Sequence, residues 1–193
     1  MTDYSQTNFG CSPQRFLQTE AVGQTPDLNS ALNLALNQIC KGTAWHYAEV
    51  WLPEVDRNLL KLSPACCINV LEDDRILALK QFHQCSEAFI LQPSEGLPGQ
   101  TWSSQCPQWI ADVSAESETY FLRNQIARAF GVKAGLGLPF LIEQEVVAVF
   151  VFFMQAARLA DQPLIRQTQA LLQQLEPTLI PLFQLNLIGA NRL

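Results

Sequence analysis

Cysteine supplies the most reactive side chains in this chain, because a thiolate can attack an electrophile, pair with a second thiol or bind a soft metal. Six are present: Cys11, Cys40, Cys66, Cys67, Cys85 and Cys106. None stands in the C-x-x-C spacing that zinc ribbons and thioredoxin-type sites use. Free, mostly buried thiols are the expectation. Cys106 would need a neighbouring cation to lower its pKa, and no Lys, Arg or His flanks it. The two histidines, His46 and His83, stand alone, without the paired spacing that defines a metal site. Glu72-Asp73-Asp74 is a consecutive run whose members point in different directions, so it reads as a solvated face and not as a convergent acid–base pair. No catalytic or metal-ligating set emerges.

The elements that would have to position any site follow from periodicity. Thr25-Pro26 reads as a helix cap with proline in the first turn, and Leu28, Leu32, Ala35, Leu36 and Ile39 continue at helical spacing to Gly42. Trp45 to Leu52 and Leu59 to Ser63 are strand-like, joined through Pro53, Asp56 and Asn58 as an antiparallel hairpin. Leu71 to Cys85 fits a short helix over the sheet, and Ala88 to Leu91 a strand. Gly96 to Ser104 predicts a turn entering a short helix, Trp109 to Val113 a strand, and Tyr120 to Phe130 a helix stopped by Gly131. Leu136 to Ile142 and Val146 to Met154 form a second hairpin, whose latter strand is apolar on both faces and belongs in the centre of the sheet. The final helix carries Leu164, Ile165, Leu171, Leu172, Leu175, Leu179 and Leu182. Pro177 and Pro181 interrupt that stripe, and an interior proline costs about 3 kcal/mol, so the helix is expected to kink or stop near Glu176. The order implies an α+β fold: a polar arm over 1–25, one domain over 26–176 and an apolar extension over 177–193.

Composition bounds the function classes. Of 193 residues, 48% are hydrophobic and 16% charged, enough for one substantial core. A net charge of −6 with scattered basic residues argues against nucleic-acid binding. The longest clean apolar run, Val146 to Met154, is far short of the about 20 residues a membrane helix needs. With no secretory pattern over residues 1–24, the cytoplasm is the expected compartment.

Several short motifs occur in order: Ala48-Glu49-Val50-Trp51-Leu52-Pro53, Leu62-Ser63-Pro64, Glu95-Gly96-Leu97-Pro98-Gly99, Trp102, Pro107, Trp109-Ile110-Ala111-Asp112-Val113-Ser114 and Ala134-Gly135-Leu136-Gly137-Leu138-Pro139. Together they resemble a GAF domain of the bacterial, often cyanobacterial, sensor type, from about Leu28 to Leu175. Gln105-Cys106 stand where such domains often carry Gly-Gln, and Gln144 replaces the glycine usual in the last hairpin.

The resemblance implies a PAS-related fold with an antiparallel sheet of five or six strands, helices packed on both sides, and a structural turn at Gly96, Pro98 and Gly99. It also implies a ligand-side wall, for which Phe89, Trp102, Trp109, Asp112, Phe121 and Arg123 are the candidates, with Tyr120 alongside. An aromatic-lined cleft suits a flat organic ligand, and core packing accounts for the same aromatics. The free methionine sulfoxide reductases on this fold carry a redox cysteine in the glycine-rich turn, where this chain has Pro98. Phytochrome-like members attach a bilin through a cysteine, for which Glu118 to Gly131 offers no match, so no covalent bilin is expected at that position.

The reading that follows is a non-enzymatic sensory or regulatory module in signal transduction, binding an unidentified small ligand or a partner protein. A ligand-free interaction or dimerisation adaptor and a thiol-redox enzyme or sensor are the alternatives. With no kinase, cyclase or DNA-binding segment evident, a signal is expected to leave by protein contact. A homodimer is expected through the first and last helices, using Leu34, Leu171, Leu172, Leu175 and Leu179.

Overall fold

A computed structural model describes residues 27–54 and 58–190, with the side chains of 188–190 left aside. The N-terminal arm, Cys11, Thr25, Pro26 and Asp56 lie outside the described residues. The elements run α1 (Leu28–Lys41), β1 (Tyr47–Glu54), β2 (Leu59–Ile68), α2 (Asp73–Ser86), β3 (Ile90–Leu91), α3 (Gly96–Ser104), β4 (Gln108–Ile110), α4 (Asn124–Ala129), β5 (Gly135–Ile142), β6 (Glu145–Phe153) and α5 (Gln162–Ala190). Asp27 caps α1, accepting the Ser30 amide at 2.9 Å, which puts the cap two residues after Thr25.

The six strands form one antiparallel sheet in the order β3-β2-β1-β6-β5-β4. The strand that is apolar on both faces, β6, lies between β1 and β5, so both its faces are covered. Side-chain alternation then divides the core into two layers. Ala148, Phe150 and Phe152 of β6 face the layer formed with α1 and α5, while Val149, Val151 and Phe153 face the layer holding Leu79 and Phe82 of α2, Leu97 of α3 and Ala127 of α4.

Helix α5 does not stop at Glu176. It continues through Pro177 and Pro181 to Ala190, so residues 177–190 of the apolar extension prolong the same helix. Both prolines are exposed, as is Gln173, four residues before Pro177. The carbonyls deprived of an amide partner therefore turn to water. On the opposite side Leu179, Leu182 and Phe183 are buried, with Phe183 against Phe140 at a ring separation of 5.4 Å. That burial opposes the cost of the prolines.

Helix α1 is held along the edge of β2 by three asparagines at four-residue spacing. Asn29 Oδ1 accepts from Ser63 Oγ (3.3 Å), Asn33 Oδ1 from the Cys66 amide (3.2 Å), and Asn37 Oδ1 from Cys67 Sγ (3.6 Å). Each amide nitrogen that follows donates back up the helix, Asn33 to the Asn29 carbonyl and Asn37 to the Asn33 carbonyl. Spacing of four places all three on one face, and the Cys66 amide finds its partner there.

Both departures from the GAF-like pattern sit in left-handed backbone. Gln105 (φ 53°) ends α3, and Glu143 (φ 50°) and Gln144 (φ 70°) form the two-residue turn of the β5–β6 hairpin. The Gln105 side chain donates to the Gln144 carbonyl at 3.3 Å, tying the two together.

Gly96, Pro98 and Gly99 form the first turn of α3 itself. Gly96 has φ 59°, which favours glycine, whereas Gly99 is needed for close approach. Its carbonyl accepts the Ser94 amide at 2.9 Å, and an added Cβ would stand against the Gln92 carbonyl oxygen and the Ser94 backbone. Gly99→Val is expected to destabilise by about 1–3 kcal/mol through this overpacking. Urea unfolding of the variant checks it, and an unchanged midpoint would refute the close-approach role.

Candidate functional site

The expected ligand side is the layer between the sheet and α2, α3 and α4. Strand alternation in β1 points Tyr47, Glu49 and Trp51 into it, so a carboxylate enters an otherwise apolar space. Glu49 is fully buried. An ionised carboxylate there needs partners for both oxygens.

The partners are present. Oε1 of Glu49 accepts from Trp51 Nε1 (2.8 Å) and Arg123 Nη2 (2.7 Å), and Oε2 from Tyr47 Oη (2.9 Å) and Arg123 Nη1 (3.2 Å). The guanidinium thus grips both oxygens. Nη1 of Arg123 also donates to Ser86 Oγ at 2.9 Å, which in turn donates to the Phe82 carbonyl at 2.7 Å. Arg123 is 1% exposed, and its guanidinium carbon lies 4.9 Å from the Trp51 ring, 5.2 Å from Phe82, 5.4 Å from Phe121 and 5.7 Å from Phe153.

Burial, and then the Glu49 charge, push the Tyr47 phenol well above its ordinary value, so it stays a donor. His83 Nδ1 lies 2.7 Å from the same oxygen. With the phenolic hydrogen directed to Glu49, His83 donates from Nδ1, and its Nε2 faces Glu87 at 3.9 Å near the surface. The polar network therefore reaches from β1 through α2 toward solvent.

The ligand-side candidates do not converge on a single cleft. Phe121 and Arg123 line the Glu49 cluster, and Phe89 and Trp102 pack partly buried on that layer. Trp109 is on the opposite face of the sheet, 5.7 Å from Trp45, with its Nε1 donating to the Arg158 carbonyl at 2.9 Å. Alternation along β4 decides this, since Ile110 takes the inward place beside Phe121. Tyr120 is exposed.

Asp112 forms a separate knot with Ser114 and Lys133: Ser114 Oγ donates to its Oδ1 at 2.6 Å and Lys133 Nζ to its Oδ2 at 3.2 Å. Burial pushes the Asp112 carboxyl up, and these bonds outweigh it, leaving the pKa below the ordinary value. Arg123 is committed to Glu49, so it is not a free anion site. Sequence reasoning singled out Arg123 and missed Glu49, Tyr47 and Ser86. The two-residue alternation of Tyr47, Glu49 and Trp51 was the available signal.

The dimer-interface candidates are also divided. Leu172 and Leu179 are buried in the protein's own core, Leu171 and Leu175 are half-buried against it, and Leu34 is 68% exposed. Grooves occur elsewhere, including one of about 450 Å³ between the end of α1 and the start of α5, lined by Lys41, Thr43, Arg158 and Asp161. Part of its polar wall is paired, with Arg158 on Asp161 and Gln167 donating to the Gly42 carbonyl at 2.8 Å. Among the described residues no group of three or more His, Cys, Asp and Glu side chains is placed to hold a metal, and no helix is long and apolar enough to cross a membrane.

No protein-family profile and no curated protein matches the chain. Solved structures do. The GAF domain of a phosphoenolpyruvate-protein phosphotransferase from Coxiella burnetii superposes with a TM-score of 0.61 at 17% identity, covering 86% of this chain and 88% of that one. The fold is that of a GAF domain. A GAF domain/HD domain protein from Geobacter sulfurreducens gives a TM-score of 0.62 at 10% identity, covering 83% of this chain and 96% of that one. Free methionine-R-sulfoxide reductase from Neisseria meningitidis, solved with its substrate, gives 0.60 at 15% identity, covering 84% and 83%. At these identities the likeness concerns fold alone. Within this GAF-like fold, the layer beneath α2 to α4 holds the protein's own ion pair and aromatic rings.

Removing one partner leaves the other charge buried and unpaired. Arg123→Met is expected to cost about 3–5 kcal/mol, and the double variant Glu49→Gln/Arg123→Met to regain a substantial part of it. A urea double-mutant cycle measures this; strictly additive losses would show that the two groups do not act as a pair.

Proposed function

We propose that this GAF domain is a non-catalytic regulatory module that acts through contact with another protein chain, its ligand-side space occupied by its own side chains. The observation that carries this reading is the saturated Glu49–Arg123 pair. Four donors fill the carboxylate, and aromatic rings surround the guanidinium. A small ligand would have to displace an internal salt bridge whose separated charges are each costly to bury. Such a ligand would need to match both charges at once.

The reductase among the structural neighbours invites a catalytic alternative. Here the first turn of α3 carries Gly96, Leu97, Pro98 and Gly99, with no thiol. Cys85 and Cys106 are exposed but lie in separate elements, one in α2 and the other just after α3. A regulatory role is the better fit to these residues.

The partner we propose first is a second copy of this chain, meeting along the outer faces of α1 and α5. Leu34 on α1 and Leu185 on α5, 68% and 61% exposed, supply apolar anchors there. Native mass spectrometry tests both parts of the reading. It is expected to show a dimer at the polypeptide mass, with Leu34→Glu shifting it to monomer while thermal stability is unchanged. A stoichiometric small molecule retained on the protein would overturn the self-filled site, and a wild-type monomer at micromolar concentration would overturn the dimer.

A further inference from the structure

His46 stands immediately before β1, where the ends of β2 and β6 meet the start of α2. Its amide donates to the Phe153 carbonyl at 3.0 Å, and its carbonyl accepts the Asn69 amide at 2.8 Å, so the backbone on both sides fixes where the imidazole sits. Ring nitrogen Nδ1 accepts the Gln155 amide at 3.1 Å and an N–H of Arg75 Nη2 at 3.4 Å. Arg75 donates further, from Nε to Gln155 Oε1 at 2.6 Å and from Nη1 to Glu72 Oε2 at 2.9 Å. The clasp ties the first turn of α2 to the strand end beside it.

A backbone amide and a guanidinium only donate, so Nδ1 is bare and the neutral ring carries its hydrogen on Nε2. The first half of α2 has little else to hold it. Asp73, Asp74 and Leu77 are exposed, Ile76 and Ala78 are half-buried, and the buried residues of the helix begin at Leu79. That half is held to the sheet largely through Arg75.

We propose that His46 is an acid-release latch: its neutral imidazole holds the first turns of α2 on the sheet, and a proton taken up at Nδ1 frees them while Leu79, Phe82 and Ser86 keep the second half docked. The inference goes beyond the regulatory reading above and stands on this clasp alone.

The proton enters at the very atom on which both donors converge. An Nδ1–H would meet the Gln155 N–H head-on, and the imidazolium would stand beside the Arg75 guanidinium. Burial first, and then the Arg75 charge, hold the His46 pKa below its ordinary value, against a smaller opposing pull from Glu72. Arg75 and Glu72 are the charged groups facing the ring among the described residues, whereas Gln155 and Asn69, which follow β6 and β2, are neutral. Because the folded pKa is the lower one, the unfolded chain takes the proton more readily. The latch's contribution is complete above the unfolded value, about 6.5, and is lost as pH falls through the folded one.

An NMR titration of the isotope-labelled full chain, from neutral pH downward, reads the His46 ring, the Gln155 amide and Arg75 Nε together. The Nε2–H tautomer is expected at neutral pH, followed by one shared midpoint below about 6.5 for all three signals. At the same acid pH, hydrogen exchange over residues 73–78 is expected to be faster in the wild type than in His46→Asn, whose side-chain oxygen can replace Nδ1 as acceptor without taking up a proton. An Nδ1–H tautomer at neutral pH, a ring midpoint at or above about 6.5, or a ring titration that leaves Gln155 and Arg75 unmoved would overturn the proposal, as would equal exchange in the two proteins. The wild-type titration decides the matter even if the variant folds poorly.

Discussion

A carboxylate and a guanidinium taken fully out of water are a liability unless each finds its complement inside the protein, and Glu49 and Arg123 do. The pair links β1 to the segment that opens α4. Through Ser86 and Phe82 it also fixes the end of α2. Three chain segments distant in sequence are thereby brought into one register, and the aromatic rings of Trp51, Phe82, Phe121 and Phe153 pack where the guanidinium places them. Geometry is specified here more than stability is gained, since a well-packed apolar replacement of a buried ion pair is often neutral or favourable.

The opposite layer is built on a different principle. Among the described residues it holds no ion pair of this kind; its polar content is local and directed, as in Trp45 Nε1 donating to Thr168 Oγ1 at 2.9 Å. Apolar burial does most of the work, with α1 and α5 lying side by side on Phe150, Phe152 and their neighbours. The asparagine ladder adds direction to that burial by fixing how far α1 slides along β2. Because α5 is held by its inward leucines and Phe183, it tolerates two prolines on its wet side.

These two layers share the central strands, and that is how they are mechanically related. Tyr47, Glu49 and Trp51 alternate with Ala48 and Val50 along β1, so the strand that carries the ion pair on one face carries the packing of α1 and α5 on the other. The hydrogen bond from Gln105 to the Gln144 carbonyl joins α3 to the far hairpin in the same way.

Sequence periodicity alone determined the order and type of the elements, the central place of β6 and the α+β class. These depend on the spacing of neighbours along the chain, which a strand or a helix converts directly into faces. The GAF-like turn at Gly96 was legible for the same reason, as a local backbone demand. What the sequence could not decide was which distant groups meet. Arg123 is 74 positions from Glu49, and its pairing as an internal counter-ion follows only from what surrounds it in the folded layer. Trp109 belongs to the opposite face because a three-residue strand fixed its alternation, and Asn33 meets the Cys66 amide because α1 docks on the β2 edge. The run of α5 through Pro177 and Pro181 was settled by burial on its inner side. Local rules price the proline and the charge, and only the tertiary structure supplies the partners that offset them.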